Sequence, residues 1–187
     1  MSYSENMKWN KSYGPLTGRP VLGTLGVGVS AKHYTLDGFH ILTKLTVNGV
    51  LPAVTGSLAV GLLAYTFPAG VHSLKLARIA LALQQADGTI TADVPLLGLG
   101  SVIASGAVIV LNGTAGFDDI LTEQAMDDCD GTVEDVTLIM PTAGHIVNEA
   151  AGVKAVYINA ADAWTGTETA CGVVGEVWLE WTRLSGS

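Results

Sequence analysis

The stretch Asp93–Gly106, DVPLLGLGSVIASG, decides between two unrelated folds. An apolar run ending in two glycines one residue apart, Gly98 and Gly100, is how a strand enters a phosphate-binding loop. It is equally how a strand enters an ordinary turn. A dinucleotide loop needs glycines at its first, third and sixth positions, then a helix whose amides face the pyrophosphate. Counted from Gly98, the sixth position is Ile103. Asp118 and Asp119 do lie about 20 residues on, where a ribose-binding acid stands in that fold. However, Gly106, Asn112-Gly113 and Gly116 interrupt any crossover helix, and β-branched Val108, Ile109 and Val110 favour a strand. No βαβ alternation surrounds the stretch. It reads as a connection between strands.

The flanking sequence carries the same signal. In FHILTKLTV, Phe39, Ile41, Leu45 and Val47 share one parity while His40, Lys44 and Asn48 share the other, so one face meets a core. LLAYTF closes on the turn PAG. In SLKLARIALALQQADG the residue types suit a helix, yet Leu74 and Leu76 alternate with Lys75, and Ile79, Leu81 and Leu83 continue with shifted parity. A strand carrying a bulge accounts for that shift. Asp87-Gly88 then marks a tight turn. FDDILTEQAMDD is expected to form one short helix, with Ile120, Leu121 and Ala125 apolar between acids. VKAVYINAADAW is partly apolar on both faces. EVWLEWTRL sets Val177, Leu179 and Trp181 against Glu176, Trp178 and Glu180; core packing is expected for Trp164, Trp178 and Trp181.

Composition agrees with this pattern. Of 187 residues, 49% are hydrophobic and only 14% charged, which excludes a disordered chain. The 23 glycines divide many short apolar segments, as in an all-β fold with numerous turns. Two long uncharged runs, Leu45–Val71 and Val94–Phe117, are broken by glycines and hold Asn48, Ser57, Ser101 and Asn112, so buried strands suit them better than membrane spans. The expected architecture is an all-β jelly-roll or β-sandwich over residues 31–187, with an extended N-terminal arm over residues 1–30 and one short helix.

Charge separates these two regions. Residues 1–35 carry four bases against one acid, net +3, whereas the remainder carries five bases against sixteen acids, net −11. A net charge of −8 argues against nucleic acid as a partner, which would demand a basic stripe. The basic arm suits docking on an acidic neighbour such as another copy of the same body, and equally suits an N-terminus solvated by its charges. Its Tyr3, Trp9 and Tyr13, with Lys8, Lys11 and Arg19, are the candidate contact residues. The polar start MSYSENMKWNKSYG shows no signal peptide.

Reactive motifs are scarce. Eight acids fall between Asp118 and Asp135 with no base among them. Aligned as a calcium loop on Gly131, Asp128 and Asp130 fit, but Met126 takes the first ligand position and Thr137 that of the bidentate Glu. An irregular Ca²⁺ site at Asp127, Asp128 and Asp130, a solvated acidic loop, and a loop that receives the basic arm of a neighbour are the three readings. His33, His40, His72 and His145 show neither HxH nor HExxH spacing. Cys129 and Cys171 form no metal or redox motif, and no serine-nucleophile elbow occurs. The expectation is no catalytic residue, no metal site, no cofactor and no membrane segment.

The order YTFPAG, then IALALQQADGTITADVPLLGLGSVIASGAVIVLNGTAGFDDIL, then AVYINAADAW and GEVWLEWTRL resembles the jelly-roll capsid decoration, or cement, proteins of tailed bacteriophages. The resemblance covers Tyr34 to Leu184 in texture and segment order. It implies a non-enzymatic virion protein, a homotrimer on the outer capsid surface, whose partner is the major capsid protein and which stabilises the head. The alternative from composition alone is a carbohydrate-binding β-sandwich module, Ca²⁺-dependent through the acidic loop.

Overall fold

A computed structural model describes residues 14–15, 23–35, 40–51, 59–85, 90–91, 95–114, 116–126, 134–135, 145–148, 155–161, 165–166 and 171–185. In chain order the strands are β1 (Gly14–Pro15), β2 (Thr24–Leu25), β3 (Val29–Thr35), β4 (His40–Leu51), β5 (Val60–Thr66), β6 (Val71–Gln85) and β7 (Ile90–Thr91). They continue with β8 (Leu96–Gly100), β9 (Leu121–Ala125), β10 (Glu134–Asp135), β11 (His145–Asn148), β12 (Ala155–Ala161), β13 (Thr165–Gly166) and β14 (Cys171–Ser185). One sheet runs β1-β3-β4-β14-β6-β10, with β11 also paired to β6; a second runs β2-β5-β12-β8-β9; β13 and β7 form a small pair. Every pairing is antiparallel.

The parities read from sequence set which side chains turn inward. Ile41, Leu45, Val47 and Leu51 of β4, Val177, Leu179 and Trp181 of β14, and Ile79, Leu81 and Leu83 of β6 line the inner face of the larger sheet. They meet Ala64 and Tyr65 of β5, Val156, Ile158 and Ala160 of β12, and Leu97 and Leu99 of β8 in one continuous core. Two antiparallel sheets sharing one core make a β-sandwich. The parity shift in β6 is a bulge: against β14, Glu180 pairs with Leu76 and Trp181 with Leu74, which leaves Lys75 as the extra residue. Leu74 and Ala77 are consequently both buried despite their odd spacing.

Three local expectations fail. The short helix at FDDILTEQAMDD is absent: Phe117–Ile120 is irregular and Leu121–Ala125 is strand β9. Its backbone fills the open edge of β8, pairing Leu97 with Gln124 and Leu99 with Leu121, and Met126 N donates to Pro95 O at 2.8 Å. Sheet-edge hydrogen bonds outweigh a weak helical pattern of only about three turns. Val108, Ile109 and Val110 are not a strand either; they belong to a long loop between β8 and β9. Trp181 is buried in the core as expected, but Trp178 stands on the outer face of β14.

Pieces of the segment read as an arm take part in the sheets. β1 lies on β3, with Gly14 opposite Thr35, and β2 lies on β5, with Thr24 opposite Thr66. Among the described residues no helix is long and apolar enough to cross a membrane.

Candidate interaction surface

The loop from Ser101 to Ile120 does not extend from the end of the sandwich. It folds back over the outer face of the smaller sheet, and the glycines of the opening stretch explain how. A Cβ at Gly100 would collide with the carbonyl oxygens of Gly116 and Phe117, and one at Gly98 would sit 3.0 Å from Leu121 O. On β5, a Cβ at Gly61 would lie 2.8 Å from Ile103 Cγ1 and 3.0 Å from Ala104 N. Backbone therefore rests directly on backbone at two strands, β8 and β5. Gly98 and Gly100 supply that close approach to the chain's own backbone.

One side chain holds the loop down. Asn159 of β12 is fully buried on this outer face. Its Oδ1 accepts from Ala104 N at 2.9 Å, while its Nδ2 donates to Val102 O at 2.9 Å and to Phe117 O at 2.7 Å. The donor set fixes the orientation of the amide, because a flipped amide would face a donor with donors. Ala59, Ala104, Leu111, Phe117 and Ala161 close over this clamp as a second small core. Ala59 N also donates to Gly106 O at 2.9 Å, which ties the loop to the start of β5.

Carboxylates complete the loop. Ser101 donates through N and Oγ to Asp119 at 2.8 and 2.7 Å. Glu123 Oε2 accepts from Leu111 N and from Asn112 N, the latter at 3.1 Å. Asp118 Oδ2 accepts from Glu123 N at 3.3 Å. With its polar groups committed inward, the loop turns apolar side chains outward: Val102, Ile103, Ile109 and Val110 are 41%, 45%, 58% and 42% exposed. Beside them Ile103, Ala104 and Gly106 form one wall of a shallow apolar groove of about 370 Å³, and Ala59 and Gly61 form the other. These four exposed aliphatics on a tethered loop are a candidate contact surface.

Two other clusters stand out. On the outer face of the larger sheet, Trp178 lies beneath two cations, Arg78 Cζ at 4.8 Å and Lys44 Nζ at 5.6 Å from its ring centroid. Lys44 also pairs with Glu176 at 2.5 Å. Inside the core, Thr43 Oγ1 accepts from Trp181 Nε1 at 2.9 Å and lies 3.0 Å from His33 Nδ1. Tyr65, Phe67 and His72 extend this group: Phe67 meets Tyr65 and Trp181 edge-on at 5.1 and 5.3 Å and stacks on His72 at 5.7 Å. Burial lifts the Tyr65 phenol well above its ordinary value, against a smaller opposing effect of its hydrogen bond to Thr43. Burial also lowers the pKa of His33.

Tyr3, Lys8, Trp9, Lys11, Tyr13 and Arg19 lie outside the described residues, as do Asp127, Asp128 and Asp130, Cys129 and Trp164. Cys171 is a buried core residue at the start of β14. His33 and His72, distant in sequence, join one aromatic cluster, while His40 and His145 sit on β4 and β11. Among the described residues no group of three or more His, Cys, Asp or Glu is placed to hold a metal ion. Sequence reading missed Asn159. Its one signal was a lone amide at a parity otherwise facing apolar neighbours in YINAA. No family model, curated protein or solved structure matches the chain.

Proposed function

We propose that this chain is a structural virion component, a jelly-roll decoration protein. It binds the outside of the major capsid shell of a tailed bacteriophage as a homotrimer and stabilises the head. The fold half of this reading is supported by strand order. β10 and β11 lie along one edge of β6 and run the same way, so they count as one interrupted strand. Setting aside β3, which precedes β4 and pairs only with it and β1, and the two-residue pieces leaves β4-β14-β6-β11 facing β5-β12-β8-β9. Numbered along the chain, that is 1-8-3-6 against 2-7-4-5, the connectivity of two interleaved Greek keys.

The observation that carries the functional half is the clamped loop. Asn159 and a second small core hold Val102, Ile103, Ile109 and Val110 in place at the surface. Such a face works by contact. Repeated over a trimer, modest contacts multiply through effective concentration, so no single one need be strong. The basic, aromatic N-terminal segment supplies further anchors, since large aromatics give much contact area for little side-chain entropy.

The test is co-sedimentation of the purified chain with phage heads that lack it. Full-length chain is expected to pellet with heads and to raise their resistance to heat. A deletion ending at Tyr13 spares β1, β2 and β3, so the body stays folded while head binding falls. Equal pelleting with and without heads would remove the capsid reading.

A further inference from the structure

We propose that the loop surface around Ile103 and Ile109 is the seat for residues 1–13 of a second copy of this chain. The inference rests on the self-association part of the reading above and not on its capsid part. Three observations converge on it. The surface is apolar and exposed at Val102, Ile103, Ile109 and Val110, next to a shallow groove floored by small residues. Its surroundings are acidic: between Arg78 and Lys154 the chain holds no Lys or Arg but eleven acids, of which Asp118, Asp119 and Glu123 belong to this loop and the strand that follows it. The segment 1–13 offers the complement, Tyr3, Met7, Trp9 and Tyr13 with Lys8 and Lys11 among them.

Direction argues for a neighbour's segment over the chain's own. β1 pairs antiparallel with β3, and Gly14 stands opposite Thr35, the last residue of that strand. Followed backwards from Gly14, the chain leaves at the end of the sandwich where β3 finishes, on the larger sheet. The loop surface lies at the other end, over the smaller sheet, where Gly106 is bonded to Ala59 at the start of β5. From Pro15 to Gly14 the backbone thus runs away from the chain's own receiving surface. Extended, thirteen residues reach roughly 45 Å, enough to cross onto an adjacent copy. An arm that leaves one copy and seats on a different surface of the next makes a heterologous contact, which closes into a ring such as a trimer when the rotation fits.

The experiment uses purified chain alone, with mass in solution as the readout and thermal melts to verify folding. Full-length chain is expected to associate across the micromolar range. Deleting residues 1–13, or replacing both Ile103→Asp and Ile109→Asp, should weaken association at least about tenfold. The decisive arm mixes the two defective variants. The deleted chain keeps its receiving surface and the substituted chain keeps its segment, so together they should form a one-to-one complex that neither forms alone. A synthetic peptide of residues 1–13 should compete with that complex, several-fold less well at high salt. A monomeric full-length chain, an oligomer that survives the deletion, or a mixture that stays monomeric would each overturn the inference. A chain that passes here yet ignores phage heads keeps this inference and loses the capsid one.

Discussion

Asn159 and Gly61 face each other across the β5–β12 ladder, and the carboxamide of the first occupies the space that a side chain at the second would need. The pair explains how an apolar loop is held on a sheet face that would otherwise be open to water. The missing Cβ admits the amide, and the amide in turn satisfies three backbone groups of the loop.

Replacing Asn159→Ala leaves Ala104 N, Val102 O and Phe117 O without their partner. Each buried polar group left unsatisfied costs about 1–3 kcal/mol. Allowing for partial rescue by water, urea unfolding should show a loss of about 3 kcal/mol. Asn159→Asp should do no better, because it keeps the acceptor, loses both donors and buries a charge. Wild-type stability in either variant would contradict the role of the clamp.

Gly61→Ala should release the loop with less damage to the sandwich. The added methyl meets Ile103 and Ala104 on one side and the Asn159 amide on the other. Overpacking of this kind costs about 1–3 kcal/mol. Limited proteolysis should then cut within residues 101–114 well before the core opens. Unchanged cleavage kinetics would show that the loop is held by something else.

Thr43→Val keeps the volume of the side chain but removes the acceptor for Trp181 Nε1. The indole N–H is left buried without that oxygen, at a cost of about 1–3 kcal/mol. A change in Trp emission together with a lower urea midpoint checks this. Thr43→Ser restores the hydroxyl and should recover most of the loss.

Acid should weaken the protein through His33. Burial lowers its folded pKa beneath the ordinary 6.5, so the unfolded chain takes up a proton at a higher pH than the folded one. The stability tied to neutral His33 is therefore fully present above about pH 6.5 and declines as pH falls through and below it. Melting temperature followed from pH 8 to pH 5 should drop more steeply in the wild type than in His33→Gln. Parallel curves would assign the acid sensitivity to other groups.

On the outer face of the larger sheet, Trp178→Ala should cost about 1 kcal/mol through lost cation–π contacts with Arg78 and Lys44. Lys44→Met should change stability by less than about 1 kcal/mol, because its ion pair with Glu176 is partly exposed. A double-mutant cycle separates the two contributions.

Side-chain parity was legible from sequence because it is a local property. Alternation in β4 and β14, the bulge in β6 and the turn after β5 each follow from residues within one strand length, where period-2 geometry directly decides which face a side chain takes. FDDILTEQAMDD misled because its local pattern suited a helix, while the open edge of β8 supplied hydrogen bonds from partners 22 to 29 residues away that no short window contains. VIASGAVIV misled for a related reason. Apolar β-branched residues announce burial, yet burial depends on what lies opposite, and here Asn159, 57 residues from Val102, keeps the backbone on the sheet while the aliphatic side chains face outward. The sequence by itself determined an all-β chain and the inward face of its long strands. Only the tertiary structure decided which glycines let the loop lie on the sheet and which apolar residues were left for a partner, because both depend on contacts between segments far apart in the chain.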